Sequence, residues 1–535
     1  MIPSFLKSCH LVAQTLCPIH IGSGDVLTPL DYYQKGQTIY VVDQNALLAW
    51  ISTRPDAEKL ASQLTSAIRV ERKCKPFFDK FQNENLSGLI AYQVQCIGSP
   101  SEIRPFIKTL GNRVYLPGSS VKGSLRSGLF RGKIFLDKKL REAIGDIIQS
   151  DLQDSDLKHT FTKSDEIQAR VFVKRYEEAR KRPNFDINRL LNIRDSEAYP
   201  ASEILEIVET RVYSVRHGSL GPKNFSIYVE AIRRGRKFNI PVVWQTHLLD
   251  ENAACLGFSE KEELMAFLPE YCRQVSFDLL TQEMEFYDRN QLPELKEWFE
   301  NKLNLLSKSK STLFILPFGW GSGYDAKTIT DLLGEEIFKE VTKKFKNTYG
   351  LGYPGKNTEL EWLGPKDAPK SRKVVCRPDG RLEPMGWVEM KFDLPGDIGE
   401  WMEERRQSLE ERKPEIKTSF STGSKKTSVI SEQPISKKTG NHLPKPQTIK
   451  AFSKERMPKP GDFFLGKVIY TEPNGRIYLE IPGLDPDEIA MAIVETDEIP
   501  SKKKYAAGKT SLCEVLTCKA DPYDKNIVLV ICRIS

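Results

Sequence analysis

The sequence predicts an α+β protein built from antiparallel sheets with helices on one face, followed by a small all-β barrel. Three observations carry this. The chain has 535 residues, too many for one hydrophobic core. Through 1–400, strand-like and helix-like segments alternate without the regular rhythm of a doubly wound parallel sheet. Beyond a stretch poor in apolar residues at 414–460, five short β-branched runs follow within 461–535.

Taken in order, LVAQTL (11–16) and TIYVVD (38–43) read as strands, and 44–53 as a helix. Arg113 to Leu116 is a strand that Pro117 ends, and 119–131 is a helix carrying Gly123 and Gly128. Residues 132–190 are highly charged and helical, which predicts an insertion projecting from the core. ETRVYSV (209–215), FSIYVEAI (225–232) and KFNIPVVWQTHL (237–248) are strands. Residues 259–270 form a helix, TLFILP a strand, and 325–346 a further helix. These segments suggest domains at 1–233 and 234–400, with the insertion at about 132–190 in the first.

Residues 401–460 read as a helix that gives way to a basic linker. Segment 414–460 holds ten basic and three acidic side chains, so its +7 equals the net charge of the whole chain. Lys, Ser, Thr and Pro dominate it, which predicts disorder. It is either a plain tether or a basic arm adding salt-sensitive affinity for nucleic acid. In 461–535, the runs GKVIY, GRIYLEI, EIAMAIV, TSLCEVLTC and NIVLVICRI, with a turn at Asn474-Gly475, predict a five-stranded OB-like barrel. Tyr470, Tyr478 and Arg476 could there supply stacking and charge to a single strand. A barrel that contacts protein is the other reading.

Composition narrows the function classes. No apolar run is long enough to span a membrane, and the N-terminal residues lack the charged-then-apolar pattern of a signal peptide. The ten cysteines contain no Cys-x-x-Cys, and the nearest pair, Cys513 and Cys518, has no His cluster beside it. Reduced thiols in a cytoplasm, with no metal and no cofactor, are expected.

Three glycine-rich junctions stand out. In YLPGSSVKGSLRSGL, a strand breaks at Pro117-Gly118 and a helix restarts, with Ser119 or Ser120 placed to cap it. The first amides of such a helix point outward with partial positive charge. Lys122 and Arg126 stand four apart and share a face. The pattern suits a phosphate cradle; it equally suits a tight turn with a solvated basic face. It matches neither G-x-x-x-x-G-K-[ST] nor G-x-G-x-x-G, so a polyanion fits better than a nucleotide. The second junction is PFGWGSGY (317–324), and the third is Pro18 to Gly24, PIHIGSG.

HIGSGD…PLDYY, YLPGSSVKGSLRSGL, NRLLNIRDSE, PFGWGSGYDAKT and APKSRKVVCRPDGRLEPMGWVEM occur in an order that resembles the RAMP proteins of type III-A CRISPR (Csm) effector complexes, and among these the fifth-subunit family. The resemblance covers roughly 1–395; the linker and barrel lie outside it. It implies two ferredoxin-like, RRM-like domains and a non-catalytic subunit. That subunit seats at the 3′ end of crRNA beside the repeated backbone RAMP subunit, with target RNA and other Csm subunits as further partners. It helps define crRNA length and supports assembly. Carried over by position, Gly118, Ser119, Ser120, Lys122, Gly123 and Arg126 form one RNA-binding set. Gly319, Gly321, Ser322 and Gly323 form a second, and His20, Gly22, Ser23 and Gly24 a third. Because guide sequences vary, such contacts should read phosphates and 2′-hydroxyls rather than base edges.

Catalytic alternatives remain. Asp31 sits in the loop comparable to the one that carries the cleaving Asp of related backbone subunits, so target RNA cleavage is one reading and a turn-capping carboxylate the other. His20 and His217 offer acid–base chemistry for precursor processing, although a histidine between two isoleucines at a strand end more often packs. Asp195, Ser196 and Glu197 suit a strand end or an intersubunit contact. A scaffold that recruits a nuclease through the barrel is the third reading.

Overall fold

The structure, a computed structural model, describes residues 6–81, 83–153, 163–174, 183–216, 219–345, 368–394, 396–412, 463–471, 477–481, 490–494, 510–520 and 528–534. Its contacts divide the chain into two units, Met1–Arg406 and Gln407–Ser535.

The first sheet of unit one is antiparallel throughout, in the order β13 (Leu313–Pro317), β16 (Trp387–Asp393), β1 (Lys7–Thr15), β12 (Lys237–Trp244), β8 (Leu191–Ile193). Alternation sets its buried face. Cys9, Leu11 and Ala13 on β1 lie opposite Val242, Ile240 and Phe238 on β12, and all six are buried. Against this sheet pack α3 (Gly118–Leu136) and α6 (Leu268–Arg289). The α3 stripe Val121, Leu125, Leu129 is buried, at the i, i+4 spacing a helix face requires. Gly132 lets the two helices close up, since a methyl group there would lie 2.8 Å from the Tyr271 carbonyl oxygen. Ser276 on α6 accepts from the Ile315 amide at 2.9 Å and ties that helix to β13.

The second sheet runs β15 (Leu382–Pro384), β14 (Ser371–Cys376), β10 (Leu205–Arg216), β4 (Ile90–Cys96), β3 (Thr38–Val42), β2 (Tyr32–Lys35); β11 (Ser219–Ile232) pairs with β10, and β5 (Ile103–Arg104) with β11. At one end α1 (Gln44–Ser52), capped by the Asp43 carboxylate, and α2 (Ala57–Ser66) close over a cluster of Leu47, Ile51, Leu60, Phe77 and Phe78. A small third sheet joins β6 (Lys108–Thr109), β7 (Arg113–Val114) and β9 (Tyr199–Pro200). Both large sheets take strands from before and after residue 233, so the chain crosses between them repeatedly.

The strand predictions for 11–16, 38–43, 209–215, 225–232 and 313–317 fall on strands. The run 237–248 stays extended only to Trp244, then tightens into a 3₁₀ turn, Thr246–Leu249. The helix expected over 259–270 breaks before α6, which begins at Leu268 with Pro269 in its first turn. The one expected over 325–346 is two 3₁₀ turns, Asp325–Lys327 and Thr330–Leu333, then α8 (Glu335–Lys344) after Gly334 at φ +92°. The described parts of the charged insertion pack against their neighbours. Its described helices, α4 (Lys138–Leu152) and α5 (Ser164–Phe172), bury Ile144, Ile147, Ile148, Ile167 and Phe172, and Gly145 lies against Ile337 of α8. Apolar residues at i, i+3 and i+4 outweigh the surrounding charge. Helix α7 (Pro293–Lys308) follows α6, and α9 (Gly396–Arg412) begins the predicted linker; 413–462 lies outside the described residues.

In the second unit β17 (Phe463–Thr471), β18 (Ile477–Glu480), β19 (Ala490–Val494), β21 (Val528–Ile534) and β20 (Thr510–Ala520) close into a barrel in that order. Pairing of β19 with β21 is parallel and every other pairing antiparallel.

Candidate nucleic-acid interface

The predicted phosphate cradle at Gly118 is already filled by the protein. The Gly118 amide donates to Asp195 Oδ1 at 2.7 Å, so a carboxylate of the IRDSE segment occupies the positive end of α3. Neither Ser119 nor Ser120 caps the helix, because it begins at Gly118 and both lie inside its first turn. Ser196 Oγ accepts from the Leu116 amide at 2.9 Å, and Glu197 accepts from the Asn239 amide. The whole IRDSE segment thus staples the strand–helix junction to the first sheet. What Gly118 admits is backbone: an added methyl group would fall 2.3 Å from the Ile193 carbonyl oxygen.

The two basic residues are engaged as well. Lys122 Nζ donates to the Leu191 carbonyl at 2.7 Å, and burial holds its ammonium below the usual lysine range. Arg126 pairs with Asp186 at 2.6 Å and lies 3.9 Å over the Phe172 ring. Of this first set, Ser119 and Gly123 are exposed.

The other two glycine-rich loops come together. The Trp320 amide donates to the His20 carbonyl at 2.8 Å, and Gly319, at φ +72°, sits where a methyl group would meet that carbonyl at 2.4 Å. No other residue fits this crossing. His20 itself is buried. Its Nδ1 donates to the Glu230 carbonyl at 2.7 Å, its ring meets Phe106 and Trp320 edge-on, and burial lowers its pKa. It is a packed strut, so its side chain is not an RNA contact. Beyond it Gly22, Ser23 and Gly24 are exposed, held by the Gly22–Phe106 bridge and the Ser23 amide on Pro105. Ser322 Oγ closes its own loop on the Gly319 carbonyl, and Gly321 lies against Met385.

Around this crossing gather cations that spacing alone did not single out. Arg104 lies 5.4 Å from the Trp320 ring centroid and Lys373 Nζ 4.7 Å from it. Burial holds the Lys373 ammonium below its usual range, and the charges of Lys327 and Arg104 push it the same way. Arg104, Lys327 and Lys373 have no carboxylate partner among the described residues. Like charges held together raise the local positive potential.

Two buried networks hold the loops in place. Glu230, fully buried, accepts from the Phe106 amide and Tyr92 hydroxyl at 2.7 Å and from Lys108 at 2.5 Å. Below PFGWGSGY, buried Arg131 of α3 donates to Asp278, Asp331 and the carbonyls of Asp325 and Thr328. Arg372 pairs with Glu283 and lies 3.7 Å from Asp325. Burial, reinforced by the Asp331 and Glu283 charges, raises the Asp325 carboxyl to about 7 against the pull of Arg372. A lone acid inside the apolar strand FSIYVEAI was the one sequence sign of the Glu230 hub.

Asp31 serves a turn. Its Oδ2 accepts from the amide and the hydroxyl of Thr28, both at 2.8 Å, and its own amide donates back to the Thr28 carbonyl. His217 and Arg476 lie outside the described residues; Tyr470 and Tyr478 are register partners across β17 and β18. Among the described residues no group of three or more His, Cys, Asp or Glu is placed to hold a metal, and no helix is long and apolar enough to cross a membrane.

A sequence model of the RAMP superfamily matches residues 12–324, a span that contains all three glycine-rich loops. The chain belongs to the RAMP superfamily. A relative of this RAMP protein, the CRISPR system Cms protein Csm5 of Methanocaldococcus jannaschii, is 22% identical over 396 residues, spanning 71% of this chain and 87% of its own. Among solved structures, a chain of a Csm–crRNA–target RNA ternary complex from a type III-A CRISPR-Cas system shares the fold, with TM-score 0.51 and 24% identity over 72% of this RAMP protein and 100% of that chain. The crystal structure of T. onnurineus Csm5 aligns over 70% of this RAMP protein and 99% of that chain, with TM-score 0.48 and 22% identity.

Proposed function

We propose that this RAMP protein is the crRNA-binding subunit that caps the 3′ end of crRNA in a type III-A interference complex, supporting crRNA maturation and assembly in defence against foreign nucleic acid. Its partners are then crRNA, target RNA and other Csm subunits, the repeated backbone RAMP subunit above all. The observation that carries this is the crossing of two glycine-rich loops beneath Arg104, Lys327 and Lys373. The exposed Gly22–Ser23–Gly24 segment beside it admits a phosphate backbone without side-chain obstruction. The contact set is Gly22, Ser23, Gly24, Gly321, Ser322 and Gly323 with those three cations; Ser119 and Gly123 stay as exposed positions on α3. The engaged state of Asp31 favours binding over cleavage.

The finer fold reading belongs here too. In the first sheet, β1–α3–β8–β12–α6–β16 with spatial order β16-β1-β12-β8 is the βαββαβ pattern of a ferredoxin-like domain, with β13 added at the edge. We take the second sheet as the core of the other RAMP domain. In the second unit, the closed order of its first, second, third, fifth and fourth strands suits an OB-like barrel.

The test is a salt series. Binding of single-stranded crRNA by the full chain is compared with that of Arg104→Ala/Lys373→Ala. The log K against log salt slope should flatten by about 0.7 for each phosphate that a removed side chain had neutralised, about 1.4 for the pair, while the melting temperature holds. An unchanged slope overturns the assignment of this surface.

A further inference from the structure

A cleft of about 730 Å³ opens on the outward face of β2, β3 and β4, and none of the glycine-loop residues lines it. Register places Tyr33, Tyr40 and Gln93 in one row across the three strands, with Lys35 two residues along on the same face. The opposite face carries Tyr32, Ile39, Val41 and Val94, all buried; on the outward face Tyr33 packs half-buried against the Phe77 and Phe78 cluster, Tyr40 is half-buried and Gln93 exposed.

The row is chemically unusual. Phe78, Tyr33 and Tyr40 form a continuous stack: Tyr33 lies 4.5 Å from Phe78 at 20° and 5.0 Å from Tyr40 at 8°. Tyr40 ends this ladder, and among the described residues no ring covers its far side. Next to it Gln93 is exposed and offers an amide donor and an acceptor with no protein partner among the described residues. The other charges of the cleft cancel locally, Lys75 against Asp79 at 2.5 Å and Glu84 against Arg54 at 3.0 Å. That leaves the exposed Lys35, unpaired among the described residues, as its net charge.

We propose that this cleft takes an unpaired nucleobase of single-stranded RNA, which stacks on Tyr40 as the next ring of the ladder, with its edge on Gln93 and its phosphate toward Lys35. Stacking tolerates every base, because each has a π-face, and a side-chain amide can serve donor or acceptor edges. The site stands apart from the loop surface and gives the chain a second hold on one strand.

Full-length protein is irradiated with a single-stranded RNA of roughly ten nucleotides containing 4-thiouridine, and the adducts are mapped by mass spectrometry. Affinity is measured in parallel for Tyr40→Leu and for the exposed Gln93→Ala. Expected are an adduct on Tyr33 or Tyr40, affinity roughly tenfold weaker for Tyr40→Leu, and a smaller loss for Gln93→Ala, which leaves the ladder intact. Adducts confined to 22–24 and 319–323, with both variants binding normally, overturn the cleft and leave the loop surface standing. No binding of the RNA anywhere overturns both. An adduct formed by 4-thiouridine monophosphate but not by the RNA overturns the proposal in favour of a free nucleotide. Loss of a protein subunit from Tyr40→Leu, with RNA affinity kept, overturns it in favour of a peptide.

Discussion

Gly118→Ala and Gly123→Ala, five residues apart on α3, should shift stability in opposite directions. At Gly118 an added methyl group would meet the Ile193 carbonyl oxygen at 2.3 Å and Arg194 main-chain atoms at 2.7 Å. These are backbone atoms that no rotamer change can move, so the end of the helix must retreat by about an ångström. Such overpacking costs ~1–3 kcal/mol. The retreat also stretches the Gly118–Asp195 bond, worth about 1 kcal/mol, while the better helix propensity of Ala returns at most about 1 kcal/mol. The net loss is about 2 kcal/mol. At Gly123 nothing lies within 4 Å of the added methyl, so the propensity gain of ~0.5–1 kcal/mol stands alone. Urea unfolding of the full chain by far-ultraviolet circular dichroism reads both. A Gly118→Ala midpoint equal to wild type, with RNA affinity lost, would restore Gly118 as a phosphate-approach glycine and refute the internal-staple reading.

Glu230→Gln places an amide against three donors in a site closed to water, and should destabilise by about 3 kcal/mol, read by the same unfolding assay. Asp325 titrates at about 7 in the fold and near 4 when unfolded. Between those values the native state holds the extra proton, so its contribution to stability is present at low pH and is lost as pH rises from about 4 to 7. Asp325→Asn should therefore flatten the fall in melting temperature across that window; an unchanged profile would show that another group causes it. Asp31→Ala breaks the Thr28 turn and should cost ~1 kcal/mol. In a reconstituted complex it should leave the pattern of target RNA cuts unaltered, and the loss of one specific cut would make Asp31 catalytic.

Strand positions were largely legible in the sequence because alternation survives wherever one sheet face is buried, as in KSCHLVAQT on β1. Helix limits were less so: Gly334 and Pro269 cut segments whose composition alone reads as continuous. The glycine motifs marked the right loops but not their roles. A helix N-terminus with free amides looks the same in sequence whether a phosphate or the distant Asp195 will fill it, since the filling residue is set by tertiary contact. The cations come from three separate segments: Arg104 on β5 and Lys373 on β14 are joined through the pairings of β5 with β11, β11 with β10 and β10 with β14, and Lys327 comes from the turn Asp325–Lys327. No local pattern announces such a meeting.

Strand β1 lies in the middle of its sheet, flanked by β12 and β16, so Leu11 faces Ile240 on one edge and Phe392 on the other. Strand β1 is therefore synthesised long before β16 and waits for it before its hydrogen bonds are complete. Such long-range closure slows folding and leaves apolar strand edges open to other chains in the meantime. Fragments ending near residue 233 lack both neighbours of β1 and should aggregate rather than fold. The chain is best studied, and produced, whole.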